Sequence, residues 1–281
     1  MTASGIFRTA PVENEPVRSY APGTPERASL QAKLAEISAS QVEMPLVIGG
    51  RDVTTNRTFT ATMPHDTKHV LGTVQWGGPA EIEQAVKAAA AAWPAWSRMP
   101  WEERASVFLR AADLIAGPWR DTLNAATMLG QSKTAHQAEI DSACELIDFL
   151  RFNVAFMTRI YREQPDSARG VWNRMEYRPL EGFVLAITPF NFTAIAGNLP
   201  TSPALMGCTV VWKPSESAAL SAHHLMRLLQ AAGLPDGVIN LVHGSGAELV
   251  PPAIAHSDFA GIHFTGSTPA ARRAPGARTR R

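Results

Sequence analysis

Residues 183–216 read FVLAITPFNFTAIAGNLPTSPALMGCTVVWKPSE, and this stretch decides the fold. It opens on Phe183 to Ile187, an apolar run too short for a helix and suited to a strand buried on both faces. A turn follows at Thr188-Pro189-Phe190-Asn191-Phe192, and the small residues 194–205 predict a helix despite Pro200 and Pro203. Gly207 ends that segment. Residues 209–212 then predict a second buried strand, which delivers Lys213-Pro214-Ser215-Glu216 at its carboxyl end. A strand, helix, strand unit with polar residues beyond the strand ends is where an open parallel sheet takes a ligand.

The pattern continues downstream. Helices over 217–232 and 247–255 alternate with strands over 238–242 and 261–264, which implies a parallel sheet with helices on its faces. Upstream, residues 25–38 predict an amphipathic helix, with Thr24 as N-cap, Pro25 at the first helical position and Leu30, Leu34 and Ile37 on one face. Residues 46–50 with 58–62 read as a strand pair around a polar turn, and 72–76 as a further short strand. Helices are expected over 79–96, 100–115, 120–129 and 135–161, and the alternation over 169–178 reads as a strand.

The chain has 281 residues, 45% of them hydrophobic, enough for a large core. No uninterrupted apolar window is long enough to span a membrane, and the first residues lack the order of a secretory signal. Cys144 and Cys208 make neither a disulfide framework nor a metal site, which suits a reducing cytoplasm. The formal charge of +1 conceals an asymmetry, because five of the 26 basic residues fall in residues 269–281, which contain no acid. The remainder is weakly acidic and offers no electrostatic footprint for nucleic acid. The basic tail reads as a solvated, disordered segment, with contact to RNA or anionic lipid as the alternative.

The motifs carry a resemblance. PFNF (189–192), LMGCTVVWKPSE (205–216), AAGLPDGVINLVHGSG (231–246) and GIHFTGST (261–268) stand in an order that resembles the cofactor-binding half of the NAD(P)-dependent aldehyde dehydrogenases. NEPVRSYAPGTPER (14–27), MLGQSKTAHQAEID (128–141) and ELIDFLRFN (145–153) are similar to the branch that oxidises L-glutamate γ-semialdehyde, the open form of Δ1-pyrroline-5-carboxylate, in proline catabolism. The resemblance implies an α/β fold of aldehyde dehydrogenase type: a Rossmann-type parallel sheet with flanking helices, an N-terminal helical layer and a β-hairpin. It divides the chain into an N-terminal arm and helix (1–43), a helical layer with oligomerisation-type strands (44–180), incomplete NAD-binding βα units (181–268) and the basic tail (269–281). It also implies NAD as cofactor, a small-molecule aldehyde as substrate and a homo-oligomeric family. Nucleic acid and membrane are not among the expected partners.

Several residues acquire roles from it. Lys213 can lay its stem over the sheet while its ammonium reaches a ligand hydroxyl or phosphate, and Glu216 can accept from ribose hydroxyls. A carboxylate there repels a 2′-phosphate and favours NAD over NADP; alternatively, Glu216 merely begins a helix. Thr188, Pro189, Phe190 and Ser215 belong to the same two turns, and Gly266 and Ser267 match the serine segment that holds a phosphate oxygen. Gly244-Ser245-Gly246 either lets a backbone approach the pyrophosphate or makes a tight turn, since Leu249 replaces the third glycine of a dinucleotide fingerprint. Asn191 takes the oxyanion role, in which a fixed amide stabilises the negative charge that develops during aldehyde oxidation; a turn-forming asparagine is the alternative. Phe192 would line the aldehyde tunnel. Glu139 is either a contact for the substrate's amino group or an acid on a helix surface.

No nucleophile is evident. Cys208 lies between Gly207 and a buried strand and Cys144 in an apolar helix, so both read as small hydrophobes. In the family the nucleophile and general base follow the GST segment, and residues 269–281 (PAARRAPGARTRR) have the composition of an out-of-frame reading. The expectation is therefore an incomplete copy without its catalytic domain, inactive alone. The alternative is an NAD-binding or partner-docking remnant. His223-His224 show no metal-ligand spacing, and neither a P-loop nor GxSxG occurs.

Overall fold

The computed structural model describes residues 9–268. The basic tail and the first eight residues lie outside that range. The described elements are, in order, α1 (Pro25–Ala39), β1 (Val42–Met44), β2 (Leu46–Ile48), β3 (Arg51–Val53), β4 (Thr58–Met63), β5 (Asp66–Gln75), α2 (Pro79–Arg98), α3 (Trp101–Ala116), α4 (Arg120–Gln131) and α5 (Ala135–Ala138). A π-helical segment, Glu139–Glu145, leads into α6 (Leu146–Arg162). Then β6 (Phe183–Ile187), α7 (Thr193–Leu205), β7 (Thr209–Lys213), α8 (Ala219–Ala231), β8 (Ile239–Leu241), α9 (Gly246–Ala255) and β9 (Phe259–Phe264) alternate.

Six strands form one sheet in the order β3-β2-β8-β7-β6-β9, with β8, β7, β6 and β9 parallel. Strand alternation sends Val184, Ala186, Val210 and Trp212 to the face covered by α3, α6, α7 and α8. Phe183, Leu185 and Val211 face α2 and α9 instead. Apolar side chains on both faces are what a sheet covered on both sides requires. A smaller sheet, β1-β5-β4, packs with α1 and α4 around a third apolar cluster.

Helix α7 accommodates Pro203 by giving the freed carbonyl to another element. Pro203 cannot donate to Leu199 four residues back, and that carbonyl accepts from His263 Nδ1 on β9 at 2.9 Å. Gly182 opens β6 with φ +94°, and a Cβ there would meet the Asp258 carbonyl oxygen at 2.0 Å. Only glycine fits where the Phe183 N–H takes that oxygen at 2.9 Å.

Two sequence expectations need correction. The run 46–50 does not pair with 58–62: Gly49 and Gly50, at φ 58° and 76°, form a two-residue turn that pairs β2 with β3, and β2 also pairs with β8. Residues 58–62 pair with β5 in the other sheet. Residues 169–178 form no strand. A strand needs a neighbour for its ladder, and this segment runs unpaired with Val171, Trp172 and Met175 exposed.

Candidate functional site

Parallel pairing aligns the carboxyl ends of four strands. Ile187 sits opposite both Lys213 and Phe264, and Trp212 opposite Leu241. Pairing continues one residue beyond: Thr188 N–H donates to Lys213 O (3.1 Å), Val242 N–H to Trp212 O (2.9 Å) and Thr265 N–H to Ile187 O (3.1 Å). The turns at 188–192, 213–216, 242–246 and 265–267 therefore open at one edge of the sheet.

The individual residues differ in what they offer there. Thr188 and Pro189 are buried, and the Thr188 hydroxyl accepts from Trp212 Nε1 at 3.0 Å, which fixes the start of this turn against β7. Phe190 is 61% exposed and Phe192 39%. Asn191 is exposed and makes no hydrogen bond among the described residues. Lys213 is buried and has no ion-pair partner among the described residues. Burial lowers its pKa, and the charge of Glu216 opposes that shift. Ser215 is half-buried, whereas the Glu216 carboxylate is exposed beside a cleft lined by Phe59, Thr60, Gly130 and Leu220. A Cβ on Gly246 would meet nothing within 4 Å, so space for a ligand's approach exists there. Gly244 differs: its Cβ would strike Leu249 and the Gly77 carbonyl, so that glycine serves packing. Gly266 and Ser267 are exposed beyond β9.

Glu139 requires a correction. It lies on no helix surface; its side chain is fully buried, and its oxygens accept from Arg120, Tyr20 Oη (2.8 Å), Asn124 Nδ2 (2.9 Å) and the Arg18 N–H (2.7 Å). With its acceptor sites filled by the protein's own donors, no substrate amine has access. Its pKa is held down at about 2: Arg120 and the other donors outweigh desolvation, the largest cause, which acts the other way. The π-helical segment keeps four of its consecutive side chains, Asp141 to Cys144, buried as well.

That segment supplies residues the sequence reading passed over. Asp141 Oδ2 and Oδ1 accept the Thr193 and Ala194 N–H groups, each at 3.0 Å, and Lys133 Nζ donates to Asp141 at 2.6 Å. Lys133 also stands 4.5 Å from the Phe192 ring centroid. Glu145 lies nearby, with its pKa raised by partial desolvation and then by the charge of Asp141. The one sequence signal for this cluster is the missing N-cap of α7, whose N-cap position is Phe192. Both cysteines are buried. Burial and then Glu139 push the Cys144 thiol up to about 12, and burial raises Cys208.

The pattern of the aldehyde dehydrogenase family matches residues 52–279. The chain belongs to the aldehyde dehydrogenase family. It is 53% identical over 93% of its length to a protein of Agaricus bisporus named delta-1-pyrroline-5-carboxylate dehydrogenase, of which it covers 48%. A bovine protein named delta-1-pyrroline-5-carboxylate dehydrogenase, mitochondrial, is 45% identical over 95% of this chain and is covered to 48%. The delta-pyrroline-5-carboxylate dehydrogenase of Mycobacterium tuberculosis, solved with NAD bound, superimposes with a TM-score of 0.94 at 53% identity, over 96% of this chain and 51% of its own. The chain spans about half the length of the curated relatives it matches. Among the described residues no helix is long and apolar enough to cross a membrane, and no cluster of His, Cys, Asp and Glu suits a metal.

Proposed function

We propose that this chain binds NAD and belongs to a system that oxidises L-glutamate γ-semialdehyde to L-glutamate. The observation that carries the reading is the common edge at which the turns after β6, β7, β8 and β9 open, in a chain 53% identical to a pyrroline-5-carboxylate dehydrogenase. The residues suit the cofactor. Lys213 brings an ammonium with no ion-pair partner among the described residues, Glu216 an exposed carboxylate, and Gly246 open space beside the backbone. In this reading Lys213 and Glu216 hold the adenosine ribose, Ser267 and Gly266 meet the pyrophosphate, and the 188–190 turn lines the cofactor. NAD, when bound, supplies the hydride acceptor. Asn191 donates to the oxygen on which charge develops, and Phe192 lines the path of the aldehyde.

The buried, weakly acidic cysteines favour a second reading of the isolated chain, as a cofactor-binding unit without turnover. We assign it to the reducing cytoplasm on its cysteine usage, although the bovine relative is named mitochondrial. Co-expression with the half of the Agaricus bisporus relative that this chain does not match tests the oxidation. NADH formation from glutamate γ-semialdehyde supports it; an assembled pair that binds NAD but forms no NADH sinks it.

A further inference from the structure

Helix α7 begins without a cap of its own. Phe192, at the N-cap position, has extended backbone dihedrals and no side-chain acceptor, yet the first amides of any helix need partners. Here they find one in another element. Asp141, on the π-helical segment, gives one carboxylate oxygen to each of the Thr193 and Ala194 N–H groups, and Lys133 donates at 2.6 Å to Oδ2, the oxygen that takes Thr193. The pair is largely out of water, with side-chain exposures of 15% and 4%. The same ammonium sits against the face of Phe192. Thr193 is clasped further by Thr127 at 2.8 Å and Gln131 at 2.9 Å. Asn191 carries the one side chain between Phe190 and Phe192 that can cap a helix, and it is not used for that.

We propose that the Lys133–Asp141 pair is the positioning element of the turn that carries Asn191. By capping α7 from outside, it fixes the backbone at residues 191–194 and leaves the Asn191 amide free to donate away from the helix. Asp141 and Lys133 act through Asn191 and Phe192 and touch no reacting atom. The inference rests on reading Asn191 as the oxyanion donor, and its test does not need turnover.

The test compares Asp141→Asn, Lys133→Gln and Lys133→Arg in the full chain, by residue-resolved hydrogen exchange and by the side-chain amide resonances of Asn191. A neutral acceptor holds an amide less strongly than a carboxylate, so exchange at Thr193 and Ala194 is expected to rise about tenfold in Asp141→Asn. The Asn191 resonances should shift and broaden, while the β7 amides keep their protection. Lys133→Gln should show a smaller effect of the same kind, and Lys133→Arg should restore it. Unchanged exchange at Thr193 and Ala194 in the first two variants overturns the proposal. Equal acceleration across β7 also overturns it, because the pair would then serve the fold as a whole. If Asp141→Asn does not fold, the Lys133→Gln and Lys133→Arg comparison decides alone. Failure of the oxyanion reading would leave these rates as expected, so the two failures are separable.

Discussion

Arg120 and Glu139 face each other with no solvent exposure of either side chain, Nη2 to Oε1 at 2.5 Å and Nε to Oε2 at 3.2 Å. The guanidinium also reaches Glu15 at 2.6 Å and the Pro16 carbonyl at 2.9 Å, so the pair ties the N-terminal arm to α4 and the π-helical segment.

Removing one partner strands the other charge in the interior. Glu139→Ala is therefore expected to destabilise the chain by about 3–5 kcal/mol, with loss of arm protection around Arg18 and Tyr20. Urea unfolding with hydrogen exchange checks both. A loss of under about 1 kcal/mol would show that the arm does not depend on this pair.

Acid should unfold the chain through its histidines. Burial lowers His243 to about 3, His223 to about 3 and His224 to about 4, and neither His243 ring nitrogen has a hydrogen-bond partner among the described residues. Unfolded histidines titrate near 6.5, so the stability these groups contribute is complete above that pH and is lost as pH falls toward about 3. For His243 alone the loss, once complete, is on the order of 5 kcal/mol. Glu139 acts in the same direction at lower pH, since its depressed pKa contributes stability above 4.5 that disappears toward about 2. His243→Leu should flatten the pH dependence of urea midpoints between pH 6.5 and 4. An unaltered slope would remove His243 from the account.

Calorimetry tests the cofactor residues. Lys213→Ala should weaken NAD, and Glu216→Gln should narrow the preference over NADP, because the carboxylate that repels a 2′-phosphate is gone. Unchanged affinities in both variants rule out this site.

Purified alone, the chain is expected not to oxidise glutamate γ-semialdehyde. A thiolate must attack the carbonyl, and burial holds both thiols protonated. Asn191 can stabilise only an oxyanion that another group has made, and losing such a donor costs about a hundred- to a thousandfold where losing the nucleophile removes the route. Steady-state NADH production measures this. Turnover that disappears in Cys208→Ser would overturn it.

The sequence by itself determined the alternation from β6 to β9. Each strand is an apolar run with breakers at its ends, and each helix between them is long enough to cross back over the sheet. It also placed PFNF, WKPSE and FTGS at strand ends, because strand length and direction are local properties. Partner choice was decided only by the tertiary structure. Val47 pairs with Leu241, 194 residues away, and nothing in the 46–50 run distinguishes that neighbour from the nearer 58–62. Residues 169–178 show the converse, an alternating segment that forms no strand because no neighbour supplies a ladder. The same holds for charge. Helical periodicity leaves Glu139 equally readable as a surface acid, and its burial follows from Arg18, Tyr20, Arg120 and Asn124 converging on one carboxylate. Asp141 caps α7 across more than fifty residues of chain, because a helix end accepts any carboxylate that packing brings within hydrogen-bond reach.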